Sequence, residues 1–171
     1  MEALEALMTR RSVRTYTDRP VSDEHVRQIL AAGMQAPSAS NQQPWHFIVL
    51  RKREHLAAMA GVLPFGKMLG KAALGIVVCA DLGAMVYSGY WQQDCAAATQ
   101  NMLLACHALG LGAVWIGGYP REERAAALRR LLDIPESIMP FCAIAIGWPS
   151  EQPAPADRFR PERIHEEGWV G

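Results

Sequence analysis

Arginines crowd both ends of this chain. Arg10, Arg11 and Arg14 surround Ser12, and Arg19 follows; Arg158, Arg160 and Arg163 gather near the C-terminal end. Guanidinium groups bind phosphate or carboxylate bidentately, so either cluster is a candidate anion site. Taken alone, each reads equally as a solvated surface patch. A third stretch gives them a possible ligand. From Ala36 to Val49 the chain reads A-P-S-A-S-N-Q-Q-P-W-H-F-I-V. Pro37 and Pro44 stiffen a loop of Ser38, Ala39, Ser40, Asn41, Gln42 and Gln43 before an apolar strand. Small hydroxyl and amide groups held at a strand mouth suit a flat, polar ligand, although the same residues also build ordinary loops. Gly117-Gly118 at another strand end permits close approach to backbone, or simply a turn.

Other chemistries find no support. No G-x-G-x-x-G follows a first strand, and no Walker sequence occurs. No Ser-His-Asp or Cys-His arrangement stands out, and His46, His55 and His107 are isolated. The four cysteines, at 79, 95, 106 and 142, show no C-x-x-C spacing, so neither a zinc site nor a redox pair is expected. Cys79 and Cys142 sit in apolar runs and read as small buried hydrophobes.

The elements that must position these residues can be read in order. Leu4, Leu7 and Met8 share one face of a short helix over 2–10. Ser22 is the expected N-cap of a second helix, with Asp23 and Glu24 in its first turn and Val21 and Val26 at staple positions. Val26, Ile29, Leu30, Gly33 and Met34 repeat at helical spacing, and Pro37 ends the helix at the candidate loop. Strands are expected at Trp45–Leu50, Leu74–Ala80, Ala113–Ile116 and Pro140–Ile146. Leu74–Ala80 is apolar on both faces, which predicts a central strand covered by helices on both sides. Helices are expected at Arg53–Ala60, at about Tyr90–Leu109, and from Pro120 or Arg121 to Leu132, with Gly110-Leu-Gly112 as C-cap and turn of the longest. In that long helix Cys95, Ala98, Met102, Ala105 and Leu109 form a seam. The seam suits a subunit interface, or a central helix within one subunit. Asp94 is read as favouring the helix dipole.

With 171 residues, half of them apolar, the chain can bury one sizeable core. Seventeen basic residues balance seventeen acidic ones, which argues against nucleic acid or an anionic membrane as the main partner. No stretch has the apolar length of a membrane span, and the acidic start M-E-A-L-E does not suit a signal peptide. A cytoplasmic protein is expected, with one domain over 1–171 whose proline-rich 149–171 part forms an extended tail ending in Ile164, Trp169 and Val170.

R-R-S-V-R at 10–14, A-P-S-A-S-N-Q-Q-P-W-H-F at 36–47, Gln100-Asn101 on the alanine-rich helix, G-L-G-A-V-W-I-G-G at 110–118 and R-F-R at 158–160 together resemble the nitroreductase superfamily of FMN-dependent oxidoreductases. The resemblance covers nearly the whole chain in order. It implies an α+β fold: a central, mostly antiparallel sheet flanked by helices, in an intertwined homodimer whose C-terminal tail wraps the partner. It implies FMN at the subunit interface, held by Arg10, Arg11, Ser12 and Arg14 of one subunit and Pro37, Ser38, Ala39 and Asn41 of the other. Lys67, Ile116, Gly117 and Gly118 would border the ring, and Arg158 and Arg160 the phosphate. The chemistry would be the flavin's, with no catalytic side chain and with Arg14 and the Gly118 backbone as electrostatic support. The implied activity is electron transfer from NADH or NADPH to nitroaromatics, quinones or similar electron-poor acceptors by a ping-pong cycle. A flavin carrier or sensor without turnover, or a specialised flavin enzyme such as an enone reductase, fits the same site residues. The chain is short beside larger members and has Gly117 where many of them carry an acidic residue, so the acceptor stays open.

Overall fold

A computed structural model of the chain describes residues 1–169. Val170, expected to dock with the tail, lies outside the described residues. The elements follow in order: α1 (Ala3–Thr9), α2 (Asp23–Met34), β1 (Trp45–Leu50), α3 (Arg53–Val62), β2 (Leu74–Asp81), α4 (Trp91–Ala108), β3 (Gly112–Gly117), α5 (Glu122–Leu131) and β4 (Ile138–Gly147). Several boundaries follow directly from side-chain chemistry. Ser22 Oγ accepts the His25 N–H at 3.2 Å and caps α2, while Val21 and Val26 are both buried beneath it. Gly110 ends α4 with φ of 77°, a left-handed conformation that glycine adopts without steric cost.

The four strands form one antiparallel sheet in the order β1-β2-β4-β3. β2 is central, as its two-sided apolar sequence requires. Ile76, Val78 and Ala80 face the layer of α2 and α4, and Val77 and Cys79 face the layer of α3 and α5. The molecule is therefore a helix–sheet–helix sandwich of the α+β class. α4 packs closely on α2, where a Cβ at Gly33 would meet Met102 Cγ at 2.9 Å. Cys95, Ala98 and Met102 are fully buried in this layer. The seam expected between subunits is thus turned inward, against α2 and the sheet; periodicity locates a buried stripe but not what buries it.

Burial raises the thiol pKa of all four cysteines, pushing Cys79 and Cys95 up to about 12, so none is poised as a nucleophile. The exposed face of α1 differs from a core-facing helix. Leu4, Leu7 and Met8 are all exposed, and only Ala6 is buried. Phe159, Ile164 and Trp169 of the tail are exposed as well.

Between α1 and α2 the chain runs along the outer edge of the sheet. Ser12 bridges Ala113 in parallel, and the Val13 N–H donates to the Ala113 carbonyl at 3.0 Å. Two glycines open the room for this docking. A Cβ at Gly112 would stand 2.6 Å from Val13 Cγ1, and one at Gly147 would stand 2.8 Å from the Tyr16 ring. Tyr16 then donates its hydroxyl to the Val13 carbonyl at 2.7 Å and reaches the Ala145 carbonyl at 3.2 Å. Trp148 holds the following turn by donating Nε1–H to the Pro20 carbonyl, with Arg19 stacked 3.6 Å over its ring.

Val13 is β-branched and cannot swing away, so Gly112→Ala must push the edge segment off β3. The expected loss is about 1–3 kcal/mol of unfolding free energy, read from denaturant titration, whereas Gly61→Ala, with open space around its α-carbon, leaves it within about 0.5 kcal/mol.

Candidate flavin site

The N-terminal arginines stand at two places. Arg14 stands at the outer side of β3 and lines a cavity of about 550 Å³ with Pro64, Phe65, Lys67, Met68, Val114 and Trp115. The sequence separates Arg14 from Lys67 by half a domain, and the fold brings both cations to one hollow with aromatic walls. Lys67 reaches it because Gly66 starts a 3-10 turn over Lys67–Lys71 that is pinned by fully buried Leu69.

Arg10 stands at the end of α1, at a wider groove of about 1010 Å³ between α1 and the tail; Arg11, His107 and Arg158 also line it. Partial burial and the charges of Arg158 and Arg11 lower the Arg10 pKa. Among the described residues no carboxylate forms a salt bridge with Arg10, Arg11 or Arg158. Arg11 ties the groove together: it donates to the carbonyls of Met8, Arg10 and Ala156, and its buried Nε has no partner. Like charges held this close repel one another, and an anion between them relieves that repulsion. Arg160 stands outside this groove, exposed, and donates to the Phe159 carbonyl at 2.8 Å.

The loop after α2 is ordered from within and from below. Ser38 Oγ accepts the Gln43 N–H at 3.0 Å, and Asn41 Oδ1 accepts the Gln43 side-chain amide at 3.0 Å. Pro37 is exposed, and Ser38 and Ala39 are half-buried. Beneath them Asp94, read from sequence only as a dipole partner, accepts the Ala39 N–H at 3.0 Å and the Gln42 side-chain amide at 2.7 Å. This residue had no sequence signal beyond being acidic in a first turn. Its partners lie 55 and 52 residues away.

At the end of β3 the three residues expected beside the ring stand in different surroundings. β4 bulges at Phe141, because Val78 pairs with Cys142 and Cys79 with Pro140. The freed Phe141 carbonyl accepts the Gly118 N–H at 3.2 Å and the Tyr119 N–H at 2.8 Å. The Gly118 amide is therefore committed to ending the strand, and its glycine is required by the Phe141 oxygen, 2.9 Å from where a Cβ would stand. Gly117 is the exposed member of the pair, with open space around its α-carbon. Ile116 is buried in the α3–α5 layer and offers no side chain to a surface ligand. No group of three or more metal-ligating side chains occurs among the described residues.

The arrangement suits a ligand with a flat heteroaromatic ring and a phosphate arm. The Arg14–Lys67 hollow offers two cations beside aromatic side chains, and Arg10, Arg11 and Arg158, which form no salt bridge with a carboxylate among the described residues, have the chemistry to bind a phosphate.

His107 reports on the phosphate groove. Its Nε2 pairs with Thr9 Oγ1 at 2.8 Å. Desolvation first, then Arg10, lower its pKa; Glu5 raises it by less, and Arg11 lowers it by less still. A histidine with a depressed folded pKa binds its proton more weakly folded than unfolded, so stability is lost as pH falls below the ordinary imidazole value of about 6.5. Ligand-free protein should therefore lose part of its melting temperature between about pH 7 and pH 5.5, and His107→Gln should flatten that loss. Inorganic phosphate in the groove should reduce it.

Comparison with known proteins agrees with this geometry. The Nitroreductase family model matches residues 7–77 and 66–148. A protein of Archaeoglobus fulgidus named "Putative NADH dehydrogenase/NAD(P)H nitroreductase" is 52% identical over 172 residues, covering 98% of this chain and 99% of its own length. Among solved structures, an FMN-dependent nitroreductase of Clostridium difficile superposes with TM-score 0.90 at 28% identity, over 97% of this chain and 99% of that one. NADPH:FMN oxidoreductase of Vibrio harveyi complexed with NAD+ superposes with TM-score 0.87 at 26% identity, over 98% of this chain and 78% of that one. The matches in sequence and in fold run along nearly the full length, and the chain belongs to the nitroreductase family.

Proposed function

We propose that the chain is an FMN-dependent oxidoreductase that passes electrons from NADH or NADPH to nitroaromatics, quinones or similar electron-poor acceptors in a ping-pong cycle. The observation that carries this reading is the meeting of Arg14 and Lys67 in one aromatic-walled hollow, beside an arginine cluster with no carboxylate partner. Bound FMN supplies the redox chemistry, accepting a hydride equivalent from the nicotinamide and returning electrons to the acceptor. The chain's own residues bind and bias it. Arg10, Arg11 and Arg158 hold the phosphate; Ser12 and Arg14 follow along the same edge segment; Gly117 leaves room for the ring edge. Arg14 and Lys67 place positive charge where negative charge develops on reduction, which favours the reduced ring. Phe65 and Trp115 offer flat apolar surface to an aromatic partner.

The working unit in this reading is a homodimer of single-domain subunits, each spanning 1–171 with its tail from 149 laid on the partner. The uncovered Leu4, Leu7 and Met8 of α1 and the uncovered Phe159, Ile164 and Trp169 of the tail support it, because apolar side chains grouped this way gain from burial. Pro37, Ser38, Ala39 and Asn41 then border the flavin of the other subunit. Among the described residues no helix is long and apolar enough to cross a membrane.

Purified protein reconstituted with FMN should be yellow and bleach anaerobically with NADH or NADPH, and a nitroaromatic or quinone should restore the colour. Tight FMN binding without bleaching by either nucleotide indicates a carrier or sensor, and failure to bind FMN refutes the reading. Shared sites can be tested with a mixed dimer carrying Arg14→Ala in one subunit and Ala39→Trp in the other. One site then combines both defects and the other has neither, so one FMN per dimer should remain at wild-type affinity. Two weakened sites, with none left at wild-type affinity, exclude the cross-subunit loop.

A further inference from the structure

The loop at 37–43 has an unusual backbone. Ser40, Asn41 and Gln43 take φ of 48°, 54° and 46°, and none of them is glycine. Each such residue is strained and persists only where its surroundings over-determine it. The internal hydrogen bonds of Gln43 shape the loop but do not fix it to the fold.

That attachment runs through Asp94. One carboxylate oxygen accepts the Ala39 N–H at 3.0 Å, and the other accepts Gln42 Nε2 at 2.7 Å. Gln42 cannot turn its amide over freely. Its Oε1 accepts the Tyr87 N–H at 3.1 Å, and its Nε2 reaches the Tyr87 carbonyl at 3.3 Å. Asp94 is 4% exposed, and among the described residues no cation pairs with it. A buried carboxylate without a counter-ion is costly unless donors replace water. Here the donors come from the loop itself, with the positive end of α4 behind them. An apolar residue at 94 would suit the core better, so the carboxylate is explained by what it holds.

We infer that Asp94 is a positioning residue: its carboxylate locks Ala39 and Gln42 so that the strained loop presents Pro37, Ser38 and Ala39 in the shape the flavin site needs. Asp94 touches no cofactor in this scheme. It acts through the loop, and through Tyr87 it couples the loop to the 82–90 segment leading into α4. The inference rests on the proposed flavin site.

Asp94→Asn tests it with little change of shape. The oxygen of the substituted amide still accepts from Ala39, but its nitrogen then faces Gln42 Nε2, donor against donor. FMN affinity of the reconstituted dimer, measured by quenching of flavin fluorescence, should fall roughly tenfold or more. Adding Gln42→Glu supplies an acceptor opposite that nitrogen and should restore affinity to within about threefold of wild type. A residue that merely supports the fold would not show this rescue. Wild-type affinity in D94N, or a weakened D94N that Gln42→Glu fails to rescue, overturns the inference. If D94N does not fold, Gln42→Leu carries the test from a half-buried position, and unchanged FMN affinity in it is equally fatal. Wild-type protein that binds no FMN defeats the functional reading instead, before any variant is compared.

Discussion

The docking of residues 12–16 on the open edge of the sheet is the contact on which the candidate site depends. Backbone hydrogen bonds from Val13 to Ala113, from Ser150 to Thr15 and from Thr17 to Trp148 fix its register, and two glycines leave the space that Val13 and Tyr16 fill. Burial raises the Tyr16 pKa strongly, so its hydroxyl remains a neutral donor to the Val13 and Ala145 carbonyls. The segment also covers an edge that would otherwise expose unpaired backbone. Arg14 on that rail lines one hollow, suited to a ring, and Arg10 at the end of α1 lines another, suited to phosphate.

Around this rail the structure uses polar groups to set shape. Asp94 holds a loop, the Phe141 carbonyl ends a strand, Arg11 ties the tail to α1, and Trp148 holds the turn before α2. None of these is a catalytic group in the sense of a triad or a metal ligand. That pattern suits a protein whose reactive atoms belong to a bound cofactor, because the fold then contributes geometry and charge. It also explains why the sequence holds no recognisable acid–base constellation.

Apolar side chains left in the open are what the proposed homodimer would cover. α1 buries only Ala6, while Leu4, Leu7 and Met8 stand free beside the groove that holds Arg10 and Arg158. The inward face of α4 packs on α2 and the sheet, and exposed apolar side chains lie on α1 and the tail among other places.

By itself the sequence determined the elements and their order. Ser22 caps a helix because its hydroxyl meets a free N–H one turn on, and β2 is central because both its faces are apolar. These are local facts, and local chemistry decides them. The motifs at 10–14, 36–47 and 110–118 also carried the family, since their order along the chain is itself information. Tertiary structure alone decided what each stripe and charge meets. The Cys95–Ala98–Met102 stripe could face a partner or a neighbour, and only packing against Gly33 and the sheet settles it. Gly118 looked like an open ligand contact until the bulge at Phe141 claimed its amide. Asp94 looked like a helix-dipole residue until contacts more than fifty residues away showed it holding the loop. Spacing along a chain fixes which residues share a face, but the partner of a face is set by closure of long loops, which no local pattern encodes.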